Sequence, residues 1–205
     1  MYDLYVFTTA NSWKCTIMAE ELGEPYTCHA VNIGKGEGQK PEYRKISPTG
    51  KVPAIVDRDT GGSVYGSPAI LVYLADKYGK LLPKSLKERG EVLEWTMFGL
   101  TDLGVAVNTW NKFANRLPVK NQFAIDESWS EVARFVKTAD ERLGVSEYLG
   151  GKDYTIADIS IIPFLGGARR NAQLLAAHKN VARWLDKVEA RPAVKSGLGL
   201  PKVAA

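Results

Sequence analysis

The stretch "TGKVPAIV", residues 49–56, places a proline inside a run that otherwise has the β-branched, apolar character of a buried strand. A proline offers no N–H to a sheet ladder, so within strands it is confined to an edge, a strand's first residue or a tight turn. A second reading fits equally well. A cis Val52–Pro53 bond, a conformation open essentially to X–Pro pairs alone, turns the Val52 backbone outward. Its N–H and C=O then pair with a peptide-like ligand as an added strand would. Residues 49–56 by themselves leave both readings open.

Outward from this proline, the N-terminal part of the chain alternates in type. "YDLYVF" (2–7) reads as a buried strand, and residues 13–22 as a helix. The helical stripe Cys15, Met18, Ala19, Leu22 follows i, i+3, i+4, i+7 and ends at Gly23. "YTCHAVNI" (26–33) reads as a second strand, "GKGEGQKP" as an irregular loop, and Pro41–Ile46 as a short helical turn. "VPAIV" (52–56) and "GSVY" (62–65) pair as a hairpin across "DRDTGG". The next helix opens with Ser67 as N-cap and Pro68 as its first residue, carries Ile70, Leu71, Leu74 and Tyr78, and stops at Gly79.

Beyond about residue 85 strand signals vanish. One long helix is expected through "ERGEVLEWTMFGLTDLGVAVNTWNKFA" (88–114), and a second carries Ile125, Trp129, Val132, Val136, Ala139 and Leu143 on one face. Further helices begin at "YTIADISII" and "NVARWLDKVEA", the latter closed by Pro192. With "GKLLPKSL" (79–86) as linker, the expected architecture is an α/β domain of order β-α-β-α-β-β-α over 1–79, then an all-helical domain over 86–205.

The 205 residues include 27 Lys+Arg and 23 Asp+Glu, well interspersed, and the longest basic cluster is the pair Arg169–Arg170. No nucleic-acid footprint is visible, although mild basicity suits an anionic small molecule. No run approaches membrane-spanning length and no leader pattern opens the chain, so the cytoplasm is the expected compartment. Cys15 and Cys28 lack C-x-x-C or zinc spacing, and His29 and His178 are far apart. Metal binding is not expected.

Chemistry is concentrated at "TTANSWKC" (8–15), where a strand passes into a helix. Such a junction points backbone N–H groups at a ligand and here offers hydroxyls, an amide and a thiol. Cys15 lies on the apolar stripe past the first turn, so it reads as a small core residue. At "YGSPAILVYLA" (65–75), Ser67 is either an ordinary cap or a carboxylate dock. In "YTIADI" (154–159), Thr155 and Asp158 fit a structural capping box, despite the acid's catalytic appearance. Trp95, Trp110 and Phe113 are core residues or line an apolar cleft.

Together, "ISPTGKVPAIVD", "GSPAILVYLADKYG", "YTIADI" and "VARWLDKVEARPAV" resemble the cytosolic glutathione S-transferase superfamily over nearly the whole chain. The resemblance implies a thioredoxin-like first domain, a helical second domain, and a homodimer. It implies that Val52 and Pro53 hold the cysteinyl backbone of glutathione and that Ser67 holds the γ-glutamyl carboxylate, with Lys51 beside them in the binding site. The opening segment is similar to the nu class, whose YfcG-type members act as glutathione-dependent disulfide reductases and weak peroxidases. There a threonine and an asparagine two residues apart flank the glutathione sulfur, roles that fall to Thr9 and Asn11. "GEGQ" resembles the class's "KGGQ" and brings in Gln39. Trp110 and Phe113 are then candidates for the acceptor-substrate cleft. One departure is Gly66, which stands where the family usually has an acidic residue before the serine.

The implied activity is a glutathione transferase, possessing or replacing transfer with glutathione-dependent disulfide or peroxide reduction, with an electrophile or disulfide as co-substrate. The alternative, for which Gly66 speaks, is a non-catalytic glutathione-binding, regulatory or scaffold protein. A thiol of pKa about 8.5 is only about 3% ionised at pH 7, and a two-unit drop corresponds to about 2.7 kcal/mol. One donor to the anion (~1.5–3 kcal/mol) plus a helix N-terminus (~0.3–1 kcal/mol) covers that without a protein base.

Overall fold

The computed structural model describes residues 1–166 and 172–202, so the Arg169–Arg170 pair lies outside the described residues. Four strands are present: β1 (Tyr2–Val6), β2 (Tyr26–Ala30), β3 (Ala54–Asp57) and β4 (Ser63–Tyr65). Among them run α1 (Ala10–Leu22), α2 (Pro41–Arg44) and α3 (Ser67–Tyr78). Then follow α4 (Leu86–Met97), α5 (Leu103–Asn111), α6 (Gln122–Val145), α7 (Ile156–Leu165), α8 (Ala172–Ala177), α9 (Lys179–Glu189) and α10 (Pro192–Leu198). The chain forms two compact units, Met1–Leu82 together with the chain from Glu189 onward, and Pro83–Val188.

In the first unit the order β-α-β-α-β-β-α is as expected, and the sheet runs β2-β1-β3-β4. β1 is parallel to β2 and antiparallel to β3, which is antiparallel to β4. Val6 faces Ala30, Tyr5 faces Ala54, and Ala54 faces Tyr65. The C-terminal ends of β1, β2 and β4 therefore share one end of the sheet with the start of β3. Everything that leaves or enters there, Phe7–Asn11, Val52–Pro53 and Gly66–Ser67, is gathered by topology alone. Leu4 and Ile55 from the strands, Ile17 and Met18 from α1, and Ile70, Leu71 and Leu74 from α3 are fully buried.

α1 begins three residues before the sequence pattern suggests. Thr9 is extended (φ −133°, ψ 151°) and its hydroxyl oxygen accepts the Ser12 N–H, a side-chain cap that starts the helix at Ala10. The helix is also buried more widely than its apolar stripe, for Ser12, Lys14, Thr16 and Ile17 are buried too. The cause is α10. Gly197 packs so closely that a Cβ there would stand 2.6 Å from the Ile17 backbone. The Thr16 hydroxyl donates to the Gly197 carbonyl at 2.6 Å, Trp13 Nε1 donates to the Leu200 carbonyl at 3.1 Å, and Arg191 forks onto Glu21. Pro192 thus opens a helix as its first residue instead of only closing one, and the end of the expected 86–205 segment packs with the first unit.

In the second unit the helical path expected over 88–114 is interrupted by two wider, π-helical turns, Phe98–Asp102 and Lys112–Arg116. Glycines explain the close approach of α7 to the first of them. A Cβ on Gly99 would stand 2.4 Å from Ile161 and Ser160, and one on Gly104 would stand 2.7 Å from Phe164. α6 buries Val132, Val136, Ala139 and Leu143 of the expected stripe, while Ile125 and Trp129 nearer its start are only half-buried. α7 starts in a capping box, with Thr155 as N-cap and Asp158 reaching back to the Thr155 N–H at 3.0 Å. Asp158 is fully buried and also accepts from the Leu149 N–H and from Trp184 Nε1 at 3.1 and 2.8 Å. The capping-box geometry expected for Thr155 and Asp158 is present. No helix among the described residues is long and apolar enough to cross a membrane.

Candidate active site

The Val52–Pro53 peptide bond is cis, the second of the two readings of residues 49–56. β3 begins only at Ala54, so Val52 stands ahead of the ladder. Among the described residues, nothing bonds the Val52 N–H or C=O. The loop is held from both sides instead. Tyr43 Oη and Ser47 Oγ donate to the Lys51 carbonyl at 2.9 and 2.8 Å, and the Gly66 N–H donates to the Pro53 carbonyl at 3.0 Å. Val52 and Ala54 join Val31 and Tyr43 in a small apolar cluster, with Tyr5, Phe7 and Ile46 packed against it.

The Gly66 bond brings α3 to the same place. Gly66, not Ser67, is the N-cap, with φ +84° and ψ 128°, and Ser67 is the first helical residue. The Ser67 hydroxyl makes no cap bond and bonds to no described residue, so the ordinary-cap reading does not describe it. With Pro68 lacking an N–H, the Ser67 and Ala69 N–H groups are the free donors of the first turn. Lys51 and Gln39 are exposed. The Gln39 side chain lies against Gly50, where a Cβ would stand 2.5 Å from its amide nitrogen, and it accepts weakly from Arg44 at 3.4 Å.

At the start of α1 the candidate donors differ in how far they are engaged. The Thr9 hydroxyl donates to Ser12 Oγ at 3.0 Å, which also accepts the Phe7 N–H at 3.2 Å. Asn11 is half-buried, and its Oδ1 accepts from Lys14 Nζ at 3.0 Å. The two amide hydrogens of Asn11 remain as donors at the helix start. Cys15 is fully buried, and burial pushes its thiol far above the usual range, as befits a core residue. Trp110 and Phe113 belong to the second unit, where Trp110 packs on Trp129 with ring centroids 5.1 Å apart. Among the described residues no group of three or more His, Cys, Asp or Glu converges to hold a metal ion.

A family model for the glutathione S-transferase N-terminal domain matches residues 9–77, and one for the C-terminal domain matches 122–187. The disulfide-bond oxidoreductase YfcG of Escherichia coli is 36% identical, with 97% of this chain and 94% of that protein covered. The chain belongs to the glutathione S-transferase family. Its relatives include a second Escherichia coli disulfide-bond oxidoreductase, YghU, at 34% identity over 95% of this chain and 73% of that one. A glutathione transferase from Burkholderia graminis, solved with two glutathione molecules bound per subunit, superposes with a TM-score of 0.93 at 33% identity, covering 99% of this chain and 89% of that one. Another from Pseudomonas putida, solved with one glutathione disulfide per subunit, gives a TM-score of 0.90 at 31% identity over 98% and 91%. The alternative of a non-catalytic scaffold finds no support among these transferase-family relatives.

Beside the candidate donors stand a hydroxyl among those the sequence offers at 8–15 and a lysine that a reading by residue type passes over. Ser12 ties β1 to α1 through its hydroxyl, and Lys14 holds the Asn11 amide. Their signal is the spacing, three residues after Thr9 and Asn11 respectively, which puts each pair on one face of a helix that starts at Ala10.

Proposed function

We propose that the protein binds glutathione at this end of the sheet, ionises its thiol and presents the thiolate to a disulfide, a peroxide or an electrophilic carbon. The observation that carries the proposal is the unengaged N–H and C=O of Val52 beside cis Pro53, a one-residue strand edge open to a peptide backbone. In this reading Val52 pairs with the cysteinyl backbone of glutathione. The Ser67 hydroxyl and the α3 N-terminus take the γ-glutamyl carboxylate, while Lys51 and Gln39 supply a charge and an amide to the rest of the anionic tripeptide. Asn11 Nδ2 donates to the sulfur. Thr9 starts the helix whose free Ala10 and Asn11 N–H groups add to the field there, and its rotatable hydroxyl can turn to the sulfur as well.

With a disulfide as co-substrate, the thiolate attacks one sulfur, the S–S bond breaks, and the departing thiolate takes a proton from solvent. A second glutathione thiolate then attacks the mixed disulfide, releasing glutathione disulfide and the second thiol. Relatives solved with two glutathiones or with glutathione disulfide support this branch. With an electrophile, the sulfur forms the new bond and the leaving group departs with its electron pair. Trp110 and Phe113 are proposed for the acceptor side. The half-buried free thiol of Cys28 is in keeping with a cytoplasmic setting, and exposed Met97 and Val105 of the second unit offer apolar surface for a homodimer. Glutathione-dependent reduction of a small organic disulfide, assayed beside transfer to an aryl halide, tests the proposal. Turnover of neither, in protein that binds glutathione, overturns it.

A further inference from the structure

Lys14 is the one residue of the α1 start whose charge the reaction above does not use. It sits in the second turn of α1 with none of its surface exposed. Its Nζ lies 3.0 Å from Asn11 Oδ1. An ammonium has only donors, so the atom of Asn11 that faces it must be the carbonyl oxygen, and the NH₂ must point along the other branch of the amide. The same contact removes the second rotamer, in which oxygen and nitrogen exchange places. An oxygen lone pair facing a thiolate would repel it. The orientation of this amide therefore decides whether Asn11 stabilises or opposes ionisation.

The structure assigns Lys14 the role of positioning residue for the glutathione thiolate, acting through the Asn11 amide and not by touching the ligand. This rests on the reading of Asn11 as a sulfur donor. Burial supports an indirect role, because a side chain with no exposed surface cannot meet glutathione.

The test is a double-mutant cycle on the thiol pKa of bound glutathione, read from thiolate absorbance in wild type, Lys14→Met, Asn11→Ala and the double variant. Each single substitution is expected to raise that pKa by roughly one unit. The double variant is expected to match Asn11→Ala, since the amide that Lys14 orients is gone. Lys14→Gln, whose amide still donates to Asn11 Oδ1, is expected to stay near wild type. If Asn11→Ala leaves the pKa unmoved, the reading of Asn11 itself fails. If Asn11→Ala moves it and Lys14→Met does not, the reading stands and the assignment of Lys14 falls. Additive shifts, or no rescue by Lys14→Gln, overturn positioning in favour of a direct charge effect. Should the Lys14 variants not fold, the side-chain amide of Asn11 in the wild type decides by nuclear magnetic relaxation. A rigid amide supports the assignment, and one that flips on the nanosecond scale contradicts it.

Discussion

At the residue scale the candidate donors divide the work. Thr9 is engaged as the cap of α1, whereas both amide hydrogens of Asn11 are unengaged among the described residues. Asn11→Ala is therefore expected to raise the bound thiol's pKa by about one unit, equivalent to about 1.4 kcal/mol. Thr9→Val removes the cap and should lower stability by about 0.5–2 kcal/mol, with a smaller pKa change. Chemical denaturation and pH titration of the two variants separate these effects. Cys15→Ala should keep turnover, and a mixed disulfide trapped on Cys15 in the wild type would contradict this. Gly66 tempts one to restore the family's acid, but its φ of +84° forbids that at low cost. Gly66→Glu is expected to lose about 1–3 kcal/mol of stability, measured by urea unfolding, whatever it does for glutathione affinity. The Thr9–Asn11 spacing was legible because neighbours in sequence stay neighbours at a helix start. Lys14 was not, since a lysine on a helix is ordinarily solvent-exposed and nothing local announces that it is buried.

At the element scale, α7 is fixed by one buried carboxyl. Asp158 satisfies three N–H donors, so Asp158→Ala leaves all three unpaired and is expected to cost about 3 kcal/mol or more. Burial, offset in part by those donors, pushes its carboxyl from 3.8 up to about 6. The folded state then holds this proton more tightly than the unfolded one. The corresponding stability is full below pH 3.8 and is lost as pH rises through about 6. Asp57 has the opposite sign, held down to about 2 by Lys77 and Tyr73 against its burial, and it loses its contribution only as pH falls below 3.8. Urea unfolding from pH 3.5 to 7 is expected to show the Asp158 slope in wild type and not in Asp158→Asn, although the asparagine is less stable throughout. The capping box was readable from "YTIADI" because both partners lie within one turn. α10 was not readable as part of the first unit, because its place depends on Gly197 meeting the Ile17 backbone far away in sequence. Gly197→Val is expected to lower the melting temperature by displacing α10 from α1, a strain of about 1–3 kcal/mol.

At the scale of the whole molecule, the fold follows from patterns that repeat over many residues, and these were the easiest to read. The change from period-two runs to helical stripes near residue 85 marks the passage between units, and α6 buries most of the face its spacing predicts, from Val132 to Leu143. The chemistry depends on a few atoms brought together by the sheet register, and there the sequence supplied candidates without their hydrogen bonds. Sedimentation at micromolar concentration is expected to show a dimer, and a single monomeric species would count against it. Every role proposed above depends on the end of the sheet holding glutathione as its thiolate. The pH titration of thiolate absorbance in the saturated wild-type complex measures this directly. The expected midpoint lies near 6.5, about two units below a free thiol, so that about three quarters of bound glutathione is ionised at pH 7. A midpoint at the free value of about 8.5, in protein saturated with glutathione, would contradict it.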